Sequence, residues 1–111
     1  MRLWLDDKRN PAEFGHPDWF WVKTADDAVR MFRTGEVTQA SLDHDLTEDQ
    51  MKRGGYYGQV HEDGFKSGYD VVLWLEAHPE FWPPVRVRVH SANPAGKARM
   101  LVVINRYYDK Q

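Results

Sequence analysis

The sequence has no cysteine, so no disulfide framework holds the fold together, and a reducing compartment is compatible with it. No stretch approaches the roughly 18 consecutive apolar residues that a membrane-spanning helix requires. No signal-peptide pattern follows Met1. A basic excess is also lacking: the net charge is −2, which argues against general nucleic-acid binding. These absences predict a cytoplasmic protein with no membrane partner.

The composition is that of a soluble globular protein. With 111 residues, of which 41% are hydrophobic and 29% charged, the chain is long enough for one domain with a single core. The aromatic content is high for this size, with five Trp, five Tyr and five Phe. We expect most of these rings to lie in the core or to line a pocket. Four tryptophans predicted to be in the core are Trp19, Trp21, Trp74 and Trp82.

Apolar stretches and capping residues predict an alternation of strands and helices. The predicted strands are residues 1–5, 19–22, 37–42 and 85–90. Thr24, Ser67 and Asn93 are predicted N-caps of three helices. The first begins after Thr24 and stops at Gly35, the second runs from Gly68 or Tyr69 through Ala77, and the third runs from Pro94 to about Tyr108. This order implies a mostly parallel sheet with right-handed connections.

Two segments depart from a simple alternation. Residues 85–90 alternate strictly between apolar and polar, which predicts an edge strand with one face partly in water. Residues 47–67 show no strong period and are punctuated by glycines, which predicts an inserted binding loop or lid.

Polar side chains follow three of the predicted strands, at the point where each strand ends. Asp6 and Asp7 follow the first strand, Asp43-His44-Asp45 follows the third, and His90-Ser91 follows the fourth. In open α/β sheets, ligands bind at the carboxyl ends of the strands. The sequence therefore predicts a functional site at this edge.

The clustered acids predict a cation site. Carboxylates brought together repel one another, and all-oxygen ligands favour Mg²⁺, Mn²⁺ or Ca²⁺ over zinc, with Mg²⁺ or Mn²⁺ expected here. Asp6, Asp7 and Asp43 are the expected metal ligands. The alternative is that Asp6, Asp7 and Asp45 only enter loops or cap helices.

Two histidines are candidates for acid–base catalysis. His44 and His90 lie at strand ends, and imidazole serves as acid or base near neutral pH. Asp45 is expected to orient His44 or to complete the metal shell. In the alternative, each histidine only forms a hydrogen bond to a neighbouring acid. The remaining histidines are expected at the surface or in turns; they are His16, His61 and His78.

Several residues are candidates for binding a phosphate. Ser91, Asn93 and Lys97 surround the predicted start of the last helix, where backbone N–H groups attract anions. Arg9 follows the first acid pair and is a further candidate. Within the 47–67 loop, Lys52 and Arg53 are candidate phosphate contacts, and Tyr56 and Tyr57 could stack on a base or pack the loop down.

The polar strand ends resemble the acidic pocket of response-regulator receiver domains. Asp6-Asp7, Asp43 and Ser91-Ala92 match the family's acid pair, third-strand aspartate and fourth-strand Ser/Thr-Ala. Receivers have no histidines at these places and have a fifth strand ending in lysine, whereas this sequence finishes before one could form. The segments 5–11, 43–46 and 90–94 look more like those of the receiver-derived, cyclic-phosphate-processing receiver-like domains. This resemblance covers nearly the whole chain apart from residues 47–67.

The resemblance implies both a fold and a function. The implied fold is a receiver-like (flavodoxin-like) three-layer α/β sandwich with a truncated four-stranded sheet of order 2-1-3-4 and no fifth strand. The implied activity is a metal-assisted phosphoesterase acting on a cyclic phosphate, either an RNA end or a cyclic nucleotide. The alternatives are a non-catalytic module that binds a phosphorylated ligand or partner protein, and a phosphoacceptor modified on Asp43. An exposed fourth strand also leaves homodimerisation through that edge as an expectation.

Overall fold

The computed structural model of the protein describes residues 1–46 and 66–110. These residues form an alternation of strands and helices close to the predicted one, with shorter third and fourth strands. The elements are β1 (Arg2–Leu5), β2 (Phe20–Val22), α1 (Ala25–Phe32), β3 (Gln39–Leu42), α2 (Gly68–Ala77), β4 (Arg88–Val89) and α3 (Pro94–Tyr108). Short 3-10 helices at Pro11–Phe14 and Pro79–Phe81 lie in the connections.

The four strands form one parallel sheet of order β2-β1-β3-β4, which confirms the predicted receiver-like α/β topology. Leu5 lies opposite Leu42, and Leu42 lies opposite Val89. The three strands nearest the predicted site therefore end at the same level of the sheet. The polar residues that follow them begin side by side.

Each α-helix begins at the predicted capping residue. The side chain of Thr24 accepts a hydrogen bond from the Asp27 N–H, and Asn93 accepts one from the Gly96 N–H. Ser67 forms a reciprocal capping box with Asp70. These bonds satisfy donors that the first helical turn leaves unpaired, so local sequence determines where each helix starts.

The hydrophobic core lies between one face of the sheet and a single layer of three helices. Helix α2 contacts both α1 and α3. Strand residues of one parity point into this core, among them Leu3, Leu5, Ala40, Leu42, Val87 and Val89. The helices contribute residues that include Phe32, Val71, Leu75, Met100 and Ile104.

The buried stripe of α3 differs from the expected one. The sequence predicts an apolar surface on this helix, formed by Ala98, Leu101, Val102, Ile104 and Tyr108. In the structure Ala98 and Val102 are exposed, whereas Met100 and Val103 are buried. The helix carries apolar residues on more than one side, so their spacing alone did not identify the side that faces the sheet.

The opposite face of the sheet carries Trp4, Trp21, Ser41 and Arg88, which lie side by side in register. Among the described residues, the third layer of the sandwich on this face is the segment 10–19, with its 3-10 helix. Its Phe14 ring stacks on Trp4 with the ring centroids 5.9 Å apart. Of the four tryptophans expected in the core, Trp19, Trp74 and Trp82 are buried and Trp21 is only half-buried.

Strand β4 lies at the edge of the sheet, as its alternation predicted. Val87 and Val89 are buried, whereas Arg86 and Arg88 are exposed. Homodimerisation through this edge stays a prediction. No helix in the described part of the chain is long and apolar enough to cross a membrane.

Some predicted residues lie outside the described part of the chain. They are Lys52, Arg53, Tyr56, Tyr57 and His61, which belong to the segment predicted as an inserted loop.

Candidate functional site

The site is built where β1, β3 and β4 end. The Asp43 N–H donates to the Leu5 carbonyl oxygen over 2.9 Å, and the His90 N–H donates to the Leu42 carbonyl oxygen over 3.0 Å. These bonds continue the sheet one residue past the strands. Asp6, Asp43 and His90 are thereby held in adjacent positions by backbone geometry.

Asp6, Asp7 and Asp43 form a buried acidic cluster. Their exposed fractions are 1%, 7% and 8%, and each offers a carboxylate oxygen within 4.8 Å of those of the other two. Carboxylates are seldom so buried unless paired or bound to a cation. The cluster borders a shallow cavity of about 150 Å³, whose lining residues are Asp6, Asp7, Lys8, Arg9, Asp43, Asp45 and Ala92.

The environments of Asp6 and Asp43 shift their pKa values in opposite directions. Burial acts to raise the pKa of Asp6, but hydrogen bonds from His90 and from the N–H groups of Arg9 and Lys8 outweigh it and hold this pKa below its usual value. Burial raises the pKa of Asp43, and the negative charge of Asp6 raises it further. A proton on Asp43, or a cation beside it, relieves this repulsion.

His90 is held on several sides. One ring nitrogen, Nε2, lies 3.0 Å from Oδ2 of Asp6, and the other, Nδ1, lies 2.7 Å from Oγ of Ser41. The imidazole stacks on the Trp4 ring with centroids 3.9 Å apart and planes inclined by 8°. Arg9 donates to the His90 carbonyl oxygen over 2.8 Å. The ring is therefore fixed beside the acidic cluster.

The loop after β1 is held in place by several hydrogen bonds. Oδ1 of Asp6 accepts hydrogen bonds from the N–H groups of Lys8 and Arg9, each 2.9 Å long. The Trp21 indole N–H donates to the Asp6 carbonyl oxygen, and that of Trp4 donates to the Arg9 carbonyl oxygen. The two tryptophans thus hold the backbone that carries the first acids.

His44 occupies a different environment from His90. Its ring packs against the backbone of Gly96 in the first turn of α3, where a β-carbon would lie 2.5 Å from Cγ of the imidazole. Nδ1 lies 2.8 Å from Oδ1 of Asp45, and Nε2 lies 3.3 Å from Nη2 of Arg99. His44 does not line the cavity, whereas Asp45 does. Its connection with the acidic cluster therefore runs through Asp45.

The residues expected to bind phosphate lie in different environments: two form hydrogen bonds within the protein, one is exposed away from the cavity, and one lines the cavity. Ser91 accepts from the Asn93 N–H and forms a hydrogen bond with the Asp43 carboxylate. Asn93 caps α3 and donates to Asp45 over 3.3 Å. Lys97 is exposed and is not part of the cavity wall, whereas Arg9 is.

Several residues that shape the site were not among those predicted from the sequence. Ser41 and Trp4 hold His90, and Arg99 lies against His44. A β-carbon on Gly68 would overlap the Asp43 carbonyl oxygen, and a β-carbon on Gly96 would overlap the His44 ring. Two signals were present: a polar residue inside an apolar strand, and glycines in the first turns of two helices.

A comparison with models of protein families identifies the family of this chain. Residues 1–106 match the family model described as the cyclic-phosphate processing receiver domain. None of the curated proteins and none of the solved structures matches the chain significantly. Because the family model covers nearly the whole chain, this protein belongs to the cyclic-phosphate processing receiver domain family, and its role is linked to that processing.

Proposed function

We propose that the protein is a metal-assisted phosphoesterase that opens a cyclic phosphate to a monoester. The observation that carries this proposal is the cluster of three buried carboxylates beside a fixed imidazole, at the end of a parallel sheet. A purely structural role gives no reason for burying three like charges around one cavity.

The residues fit a hard divalent cation, Mg²⁺ or Mn²⁺. Asp6, Asp7 and Asp43 offer only oxygen ligands, and their closest oxygens lie within 4.8 Å of one another. When bound, the cation would supply positive charge to the phosphoryl oxygens.

The basic residues at the cavity suit a phosphate ligand. Lys8 and Arg9 line the cavity together with the acids. Arg9 is already oriented by its bond to the His90 carbonyl oxygen, and a guanidinium binds phosphoryl oxygens through paired N–H groups. In this proposal Lys8 and Arg9 bind a phosphoryl group beside the carboxylate cluster.

His44 and His90 are the proposed acid and base. Opening the ring forms a bond from a water oxygen to phosphorus and breaks one bond from phosphorus to a ring oxygen. One imidazole takes the water proton, and the other gives a proton to the departing alkoxide. Each imidazole lies against a carboxylate that lines the cavity, His90 against Asp6 and His44 against Asp45. Such a carboxylate holds the ring in one orientation beside the cavity.

The test is phosphorus NMR of 2′,3′-cyclic nucleotides incubated with the protein and Mg²⁺ or Mn²⁺, and then with EDTA. We expect conversion to one monoester that stops with EDTA. His90→Ala and His44→Ala should each lower the rate by roughly 100-fold or more. His78→Ala is the matched control, because His78 stacks on Trp74 and is bonded to its carbonyl oxygen, outside the site. Turnover that survives both site substitutions would refute the mechanism.

A specific observation favours a second candidate, a binding module without turnover. All four ring nitrogens of His44 and His90 already have hydrogen-bond partners. If those bonds persist with ligand present, neither ring can exchange a proton with it. Broadened or shifted ligand resonances without any product would favour this module over the enzyme.

A further inference from the structure

Ser41 is unusual among the strand residues of the described chain because it is both polar and buried. It lies on the face of β3 opposite the helices, in register with Trp4 on one side and Arg88 on the other. A buried hydroxyl without a partner costs stability. Its partner is the imidazole of His90, 49 residues away in sequence.

The side chains of Ser41, His90 and Asp6 form a row of two hydrogen bonds, and both bonds are donated in the direction of Asp6. Because a carboxylate only accepts hydrogen bonds, Nε2 of His90 must carry the proton donated to Asp6. In the neutral ring, Nδ1 then has a lone pair, and the Ser41 hydroxyl donates to it over 2.7 Å. Trp4, stacked on the ring, prevents it from tilting.

This row of hydrogen bonds limits how the Asp6 carboxylate can bind a ligand. Its Oδ1 accepts two backbone N–H bonds, from Lys8 and Arg9, and its Oδ2 accepts one from His90. Each carboxylate oxygen has two lone pairs. The Arg9 Nε is 4.0 Å from Oδ2, which is too far for a hydrogen bond. Among the residues that the structure describes, the donors therefore leave one lone pair of Oδ2 for a ligand.

We propose that Ser41 is a positioning residue of the cation site: it fixes the His90 ring, and through it Asp6, so that Asp6 binds a divalent cation through Oδ2 alone. This inference rests on the proposed function, since it requires the cation site. Groups that orient a metal-binding side chain typically contribute 10- to 100-fold to metal affinity.

The experiment is Mn²⁺ titration calorimetry on the full chain, with Ser41→Ala and Ser41→Thr. We expect Ser41→Ala to weaken Mn²⁺ binding by about tenfold or more, and Ser41→Thr, which keeps the hydroxyl, to restore most of it. Val37→Ala is the matched control: Val37 is buried before the start of β3, so its loss lowers stability without altering the Mn²⁺ affinity. An unchanged affinity in Ser41→Ala, or no restoration by threonine, would overturn the proposal.

Nitrogen NMR of the histidine rings in the metal-free wild-type protein gives a second measurement that needs no substitution. His90 should carry its proton on Nε2, whereas His78 should carry it on Nδ1, which donates to the Trp74 carbonyl oxygen. A His90 ring protonated only on Nδ1 would overturn the proposal.

The calorimetry also distinguishes failure of the proposed cation site from failure of the proposed role of Ser41. Wild-type protein that binds no Mn²⁺ would refute the cation site and the role of Ser41 together. Normal wild-type binding with an unaltered Ser41→Ala affinity would refute only the role of Ser41.

Discussion

At the scale of single residues, two glycines determine how closely the helices approach the site. Gly68 begins α2 against the Asp43 carbonyl oxygen, and Gly96 lies in the first turn of α3 against the His44 ring. A side chain at either position would separate the helix from the strand end it contacts. The geometry of the site therefore requires that positions 68 and 96 have no β-carbon.

Gly96→Ala should destabilise the protein and displace His44. Helix propensity alone favours alanine by about 1 kcal/mol, but its β-carbon would meet Cγ of His44 at 2.5 Å. Urea unfolding and the His44 ring resonances measure the two effects. Ala98→Gly is the control: Ala98 is exposed on the same helix, so this change should cost about 1 kcal/mol without moving His44. A Gly96→Ala protein with wild-type stability and His44 resonances would contradict the prediction.

Asp43→Asn should stabilise the metal-free protein at neutral pH. Burial and the charge of Asp6 raise the pKa of Asp43, so the fold favours its protonated form. The stability from that proton is present at low pH and is lost as the pH rises through the folded-state pKa. Asparagine has the shape of the neutral acid and carries no charge. The melting temperature of the metal-free Asp43→Asn protein should therefore exceed that of the wild type.

The same variant should lose its response to Mg²⁺. A cation present at 100 times its dissociation constant stabilises a protein by about 2.7 kcal/mol, and we expect this gain in the wild type alone. Thermal unfolding with and without Mg²⁺ measures it. Asp18→Asn is a suitable control, because Asp18 is exposed and pairs with Arg2 away from the cluster. An equal gain in Asp43→Asn would show that Asp43 does not bind the cation.

At the scale of elements, the C-terminal end of α3 is fastened to the segment that leads into β4. The Tyr108 hydroxyl lies 2.8 Å from the Pro83 carbonyl oxygen and 3.1 Å from that of Val85. Arg86 lies over the Tyr108 ring and donates to Asn105 and Asp109. These contacts tie the last helix to the edge strand at the end of the sheet opposite the site.

Tyr108 should make stability fall at alkaline pH. Burial raises the pKa of Tyr108, so the fold favours the neutral hydroxyl. This contribution is complete below the unfolded-state pKa of about 10 and is lost as the pH rises from there toward the folded-state pKa. Tyr108→Phe should cost about 1 kcal/mol at neutral pH and should lose less stability than the wild type between about pH 10 and pH 11. Urea unfolding across that range measures the difference, and parallel curves for the two proteins would contradict the assignment.

At the scale of the whole molecule, one core joins three helices to one face of the sheet, with the site at the ends of the same strands. Leu42 is fully buried in the central strand β3, and Asp43 follows it directly. Packing and site geometry are therefore coupled through the backbone.

Leu42→Ala should cost about 2–5 kcal/mol, because it leaves a cavity in this core. Val102→Ala is the matched apolar control: Val102 is 60% exposed, so its truncation should change stability by no more than about 0.5 kcal/mol. Urea unfolding of both variants measures the costs. Equal costs would mean that the core does not lie between the sheet and this layer of helices.

Much of the architecture was predictable because its causes are local. Thr24, Ser67 and Asn93 cap helices through bonds to residues three positions away, so short sequence patterns identify them. The abrupt change from apolar to acidic residues at Asp6 and Asp43 likewise identifies strand ends. Because the strands are parallel, these ends meet at one edge of the sheet.

The sequence by itself therefore determined the strand ends, the helix starts and the acids and histidines that follow the strands. Only the tertiary structure decided their partners. It paired His90 with Ser41 and Asp6, which lie 49 and 84 residues away, and directed His44 toward Gly96 and Arg99. It also selected the buried side of α3. These outcomes depend on the register of β3 against β1 and β4 and on the close approach of helix backbones, and distant residues set both.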